Sequence, residues 1–213
     1  MSTDADAAAA AALQIHVEQV AKRFGREWIL RDVNASFRSG QVYGIEGRNG
    51  SGKSTLIRLL SGQLSPSRGR IRFQLEGKLV AATARYPQVS WTGPYLELVE
   101  QLTVAEQLEF HFGLKPLLPE LTVNDVLNRI ELQRYRNRTL LECSSGMRQR
   151  VLLATALYAA TPLLLLDEPT VTLDDTAAEW FAGELRRFAP GRLVIIASND
   201  ARDLALCDEC LSL

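Results

Sequence analysis

The chain has 213 residues, 46% of them hydrophobic and 23% charged, with a formal net charge of -1. That is enough apolar material for one compact unit with a sizeable core, and so even a charge balance leaves no footprint for a nucleic-acid partner. Three cysteines and two histidines are too few and too scattered for a zinc cage, and sparse, odd cysteine usage fits a reducing compartment such as the cytoplasm.

Residues 1–12, MSTDADAAAAAA, are low-complexity and carry no Lys or Arg, so they lack the basic start of a secretory signal. Alanine is too weakly apolar for so short a run to span a bilayer. A frayed tail is expected there, ahead of a single domain over residues 13–213. Leu13, Ile15 and Val17 alternate with Gln14, His16 and Glu18, the pattern of a half-buried strand, which makes His16 a polar tooth rather than a catalyst. The apolar stretch 42–45 then runs into GRNGSGKST at residues 47–55. This is the Walker A pattern in its proper setting of strand, glycine-rich loop and helix (residues 54–60). Gly47, Gly50 and Gly52 let backbone N–H groups close around a polyphosphate where a Cβ would obstruct it. Lys53 reaches the β- and γ-phosphates, and the Ser54 hydroxyl suits Mg²⁺ at a helix start whose positive end favours anions.

Ile71, Phe73 and Leu75 alternate before a turn at residues 76–78, a second strand with one wet face. A helical insert follows, over about residues 89–155. Thr103 with Glu106 reads as a capping box opening a helix that carries Leu108 and Phe110. Thr122 caps a second helix with Val123, Val126, Leu127 and Ile130 on one face, and residues 147–160 form a third. Two segments are apolar throughout, 163–166 and 193–197, as central parallel strands are. The first ends in Asp167-Glu168, placed to hold a magnesium shell and to orient or deprotonate an attacking water. A helix over 176–188 carries Trp180, Phe181 and Leu185 and stops at Pro190-Gly191. Cys207-x-x-Cys210 has no second pair and reads as incidental. The fold class expected is α/β: a P-loop NTPase core with a mostly parallel central sheet, an antiparallel β subdomain and a helical insert.

Walker A, Gln88, Ser144-Ser145-Gly146 opening a helix, LLLLDEPT and Leu173-Asp174, in this order and spacing, resemble the ATP-binding cassette family over nearly the whole chain. The resemblance implies an ATP hydrolase using ATP and Mg²⁺. Within Walker A it implies nucleotide contacts from Gly47, Asn49, Gly50, Ser51, Gly52, Lys53, Ser54 and Thr55. It further implies that Phe24 stacks on adenine, with Trp28 as second candidate, and that Gln88 reaches both nucleotide and metal, alongside Ser54 and Asp167. Ser144 and Gly146 would offer a hydroxyl and an N–H to the γ-phosphate held by a second copy, and Leu173-Asp174 would cross the dimer interface. Two departures stand out. The signature reads Cys143-Ser144-Ser145-Gly146-Met147 in place of Leu-Ser-Gly-Gly-Gln, and Ser198-Asn199 replaces the usual Thr-His, so Asn199 takes the catalytic histidine's place without its charge.

The leading expectation is therefore the ATPase subunit of a transporter, dimerising with a like or related subunit around ATP. It would sit on the cytoplasmic face of the membrane through a separate transmembrane permease that docks near residues 89–96. No regulatory domain is expected after Asn199. Two other readings stay open: a soluble cassette ATPase with no transporter, and a regulatory module with slow or no turnover.

Overall fold

In the computed structural model, which describes residues 13–94 and 96–213, the alternation at residues 13–17 opens a twelve-residue strand, β1 (Leu13–Phe24). Residues 1–12, read as a tail, lie outside the described residues. Leu13, Ile15 and Val17 are buried, while Gln14 is exposed and His16 and Glu18 are half-buried. β1 pairs antiparallel with β2 (Glu27–Arg38) on one side and β4 (Arg68–Leu75) on the other, and β5 (Lys78–Leu79) extends the sheet to the order β2-β1-β4-β5. Nothing in the sequence pattern announced β2. Its register slips against β1 on either side of the Val20–Val33 pair, and Gln19 and Asp32 take φ values of 48° and 50° at those irregularities. Each bulge breaks the period-two signal by which a strand is recognised.

The second sheet holds β3 (Val42–Glu46), β6 (Val89–Thr92), β7 (Leu163–Asp167), β8 (Leu193–Ala197) and β9 (Glu209–Ser212), in the order β6-β7-β8-β3-β9. β3 pairs parallel with β8 and β9, and β7 pairs parallel with β8. Every residue of β7 and β8 is buried, as their unbroken apolar runs require. After β3 comes α1 (Lys53–Leu60), one residue earlier than expected, burying Leu56, Ile57, Leu59 and Leu60 and leaving Arg58 in solvent. These join Leu13, Phe73, Ile45, Leu165 and Ile195 in one core. At about 1.5–3 kcal/mol for each fully buried aliphatic side chain, that core holds the loop between β3 and α1 in place. Both sheets and α1 belong to one compact unit, made of the described residues up to Trp91 with Thr161–Glu168 and Ala189–Leu213.

The second unit, Thr92–Ala160 with Pro169–Phe188, is helical. The capping box at α2 (Val104–Leu114) is complete: the Thr103 hydroxyl accepts the Glu106 N–H while the Glu106 carboxylate accepts the Thr103 N–H. α3 (Val123–Arg129) has the same box from Thr122 and Asp125. Leu108 is buried but Phe110, on the same helix, is 54% exposed. α4 (Ser145–Leu157) starts two residues before the expected helix and stops three before its expected end. There the Tyr158 N–H still donates to Ala154 O, but the Ala160 N–H donates to Pro116 O and the Leu118 N–H to Tyr158 O, a bridge that draws Ala159 and Ala160 out of helical pairing. α5 (Asp175–Phe188) buries Phe181, Leu185 and Phe188, and the Asp174 carboxylate caps it by accepting the Ala177 N–H. Among the described residues no helix is long and apolar enough to cross a membrane.

Candidate nucleotide-binding and catalytic site

The loop from Gly47 to Gly52 leaves the end of β3 and turns into α1. Gly50 and Gly52 take left-handed φ values of 85° and 106°, and a Cβ on Gly52 would stand 2.5 Å from Leu30 Cδ2. Both positions therefore demand glycine, one for its backbone angle and the other for space as well. The same contact seats the start of β2 against the loop, close to the hairpin tip that carries Phe24 and Trp28. Lys53 is 6% exposed; its ammonium donates to Gly47 O at 2.8 Å and lies 3.6 Å from Glu168 Oε1. The Ser51 hydroxyl is buried without a hydrogen-bond partner.

The parallel register sets Asp167 beside Ala197, so the ends of β7 and β8 deliver Asp167-Glu168 and Ser198-Asn199 side by side. Asp167 is 1% exposed and neither carboxylate oxygen has a hydrogen-bond partner. Burial pushes its carboxyl above the usual carboxylate range, with the Glu168 charge adding to the shift. The Ser54 hydroxyl and the Lys53 charge oppose it, but Ser54 completes no hydrogen bond to either oxygen. A buried, unpartnered carboxylate next to a hydroxyl is a donor set of hard oxygens, and it fits Mg²⁺. Glu168 adopts φ 48°, a left-handed angle uncommon for a side-chain-bearing residue, and is pinned there by its N–H donating to Ala197 O at 2.8 Å. Its Oε2 lies 3.1 Å from Ser198 Oγ. Asn199 is exposed and donates from Nδ2 to Asn49 Oδ1 at 3.1 Å, which ties the end of β8 to the phosphate loop.

Gln88 is not brought to this cluster. It ends a 3-10 turn, Tyr86–Gln88, that leads into β6, and Ser90 two residues later accepts a hydrogen bond from Thr161, which precedes β7. Six residues of extended chain separate Thr161 from Asp167, roughly 20 Å, so Gln88 sits toward the other end of β7 and the metal-ligand expectation for it is corrected. Phe24 is 46% exposed with the Lys22 ammonium 5.1 Å from its ring centroid, whereas the half-buried Trp28 ring lies under the Arg23 and Arg68 guanidinium groups. Of the two rings, Phe24 has the open face. In the helical unit Ser144 is exposed and caps α4 by accepting the Met147 N–H at 3.2 Å, which leaves its own hydrogen free to donate. Gly146 lies in the first turn of that helix. Sequence reasoning missed one polar group at the site, Asp203, which is 1% exposed and 2.7 Å from Ser198 Oγ. The polar Ser198-x-x-x-x-Asp203 spacing after an apolar strand was the signal available for it.

A glycine loop between a parallel strand and a helix, with a lysine turned toward a carboxylate at the tip of a second parallel strand, defines a P-loop nucleoside triphosphatase. Comparison with known proteins narrows the class: the ABC transporter family profile matches residues 30–171. The chain belongs to the ABC transporter family, as one of its ATP-binding proteins. It is 32% identical over 203 residues to the cytochrome c biogenesis ATP-binding export protein CcmA of Rhizobium etli, covering 92% of this chain and 93% of the relative. It is 28% identical over 202 residues to the uncharacterized ABC transporter ATP-binding protein YybJ of Bacillus subtilis, covering 93% and 92%. Among solved structures, a dimeric ATP-binding cassette in a post-hydrolysis state with ADP and Pi superposes with a TM-score of 0.80 at 23% identity, over 93% of this chain and 94% of that one.

Proposed function

We propose that this chain binds and hydrolyses Mg-ATP and powers a transporter, with residues 13–213 working as a single ATP-binding domain. The observation that carries the reading is the convergence of Lys53, Asp167 and Glu168 at the loop that follows β3. Lys53 now spends its charge on Gly47 O and Glu168. An arriving phosphate offers it a stronger partner, which releases Glu168 to take a proton from water as that water attacks the γ-phosphorus. Loop N–H groups from Gly47 to Thr55 and the start of α1 hold the phosphates, and Phe24 stacks on adenine, worth about 1–3 kcal/mol. Ser54 and Asp167 would hold Mg²⁺, which would draw charge from the phosphoryl oxygens. Asn199, tethered to Asn49, donates to a γ-phosphate oxygen in place of a charged imidazole.

Two copies close head to tail, each bringing Ser144 and Gly146 to the ATP held by the other. A separate permease subunit places the pair at the cytoplasmic face of the membrane. Val89, Ser90 and Thr92 are buried in β6, whereas Trp91 and Leu96 are half-buried and Pro94 is exposed. Leu96 lines a hollow of about 510 Å³ in the helical unit with Glu97, Leu98, Glu100, Arg148 and Leu152, and this hollow would take a permease segment with apolar and basic side chains. The purified protein should hydrolyse ATP only with Mg²⁺ present, and Lys53→Ala should abolish turnover. Wild-type turnover in that variant would refute the site.

A further inference from the structure

Ser198 and Asp203 are 0% and 1% exposed, and the Ser198 hydroxyl stands between the Asp203 and Glu168 carboxyl groups. The Ser198 hydroxyl has one hydrogen and two lone pairs. Three groups surround it: Asp203 Oδ2 at 2.7 Å, Glu168 Oε2 at 3.1 Å and the Asp200 N–H at 3.0 Å. Two carboxyl groups thus face a single hydrogen. The 2.7 Å contact has the usual length of a hydroxyl hydrogen bond, while 3.1 Å is long for a hydroxyl donor. The hydrogen therefore lies on the Asp203 side. The Asp200 N–H occupies one lone pair, and the other faces Glu168 Oε2. A lone pair against a bare carboxylate repels; against a carboxylic acid it accepts a hydrogen bond.

We propose that Asp203, acting through Ser198, is a positioning residue for ATP hydrolysis: it turns the Ser198 lone pair toward Glu168 Oε2 as a ready acceptor for the proton that Glu168 takes from the attacking water. The inference rests on Glu168 being the general base. In the step, a water O–H bond breaks and the proton goes to Glu168 Oε2. The oxygen's electron pair bonds to the γ-phosphorus as the bond to the bridging oxygen breaks, and ADP leaves with that pair. Protonated Glu168 then donates to Ser198 Oγ while Ser198 still donates to Asp203, which stays a carboxylate throughout. The network needs no proton beyond the one from water.

The test compares Mg-ATP hydrolysis by Asp203→Asn, Ser198→Ala and Ser198→Thr, each also made in a Glu168→Gln background. Asp203→Asn and Ser198→Ala should lose about tenfold or more in kcat, the weight of one hydrogen bond to a charged group, with KM for ATP within about twofold. Ser198→Thr keeps the hydroxyl and should recover most of the rate. In the Glu168→Gln background neither loss should appear again, because there is no protonated carboxyl to receive. Unchanged kcat in the folded single variants, a rise in KM alone, or an equal loss in both backgrounds would overturn the proposal. Should Asp203→Asn not fold, the Ala and Thr variants of Ser198 decide it. Wild-type turnover in Glu168→Gln alone would instead refute the base assignment on which it rests.

Discussion

Replacing Asp167 with Asn should make the nucleotide-free protein more stable while removing its response to magnesium. The carboxylate is buried, both oxygens lack a hydrogen-bond partner, and burial holds its proton affinity up. For an acid raised in this way the folded state binds protons more tightly than the unfolded one. Its contribution to stability is therefore full below the ordinary value of 3.8 and lost as pH rises through the folded pKa. At pH 7 the penalty is in place. A buried unsatisfied polar group costs about 1–3 kcal/mol, and more when charged. An amide of the same shape carries no charge to desolvate. At about 2–4 °C per kcal/mol for a chain of this size, Asp167→Asn should raise the apo Tm by roughly 2–12 °C. Thermal unfolding is then followed with ATP in Mg²⁺ and with ATP in EDTA. Wild type should gain further stability from the metal, and Asp167→Asn should melt at one temperature in both. A lower apo Tm in the variant, or an undiminished magnesium increment, would refute the reasoning.

Asn199→His should raise turnover at similar ATP affinity, and Asn199→Ala should lower it by roughly tenfold, the weight of one hydrogen bond to a charged group; steady-state kinetics at saturating ATP read both. Ser144→Ala removes a hydroxyl donor and the α4 cap together, so it should cost about 1 kcal/mol of stability and reduce ATP-driven dimerisation, measured by light scattering. Burial pulls Lys115 down from 10.5 to about 8. For a base lowered in this way stability is fully present above the unfolded value and lost as pH falls through the folded one. The Tm should therefore rise between pH 8 and 9.5, and Lys115→Met should flatten that slope in a pH series of melts.

Chemistry that is contiguous in the chain was legible before the fold. The phosphate loop is read from neighbours in sequence because a polyphosphate is gripped by consecutive backbone N–H groups, and Thr103 with Glu106 announced α2 because a capping box closes within one turn. β7 and β8 were legible because burial on both faces leaves no polar residue to blur them. What depended on distant pairing was not. β2 hides behind bulges at Gln19 and Asp32 that exist only through its partner strand. β9 is short and polar, and it becomes a strand by lying beside β3. Gln88 shows the limit of order along the chain: a residue can hold its place in a sequence of motifs while its strand presents it at the wrong end of the sheet. Ser198 sits thirty residues from Glu168, and nothing in either segment alone shows that they meet.

Whether Glu168 activates water for ATP hydrolysis in a dimer of this chain is read from turnover and solution mass measured together, for wild type and Glu168→Gln at saturating Mg-ATP. Glu168→Gln should bind ATP, lose at least about a hundredfold in rate and accumulate as a dimer that wild type forms only in passing. A variant that stays monomeric and hydrolyses ATP at the wild-type rate would contradict that role for Glu168.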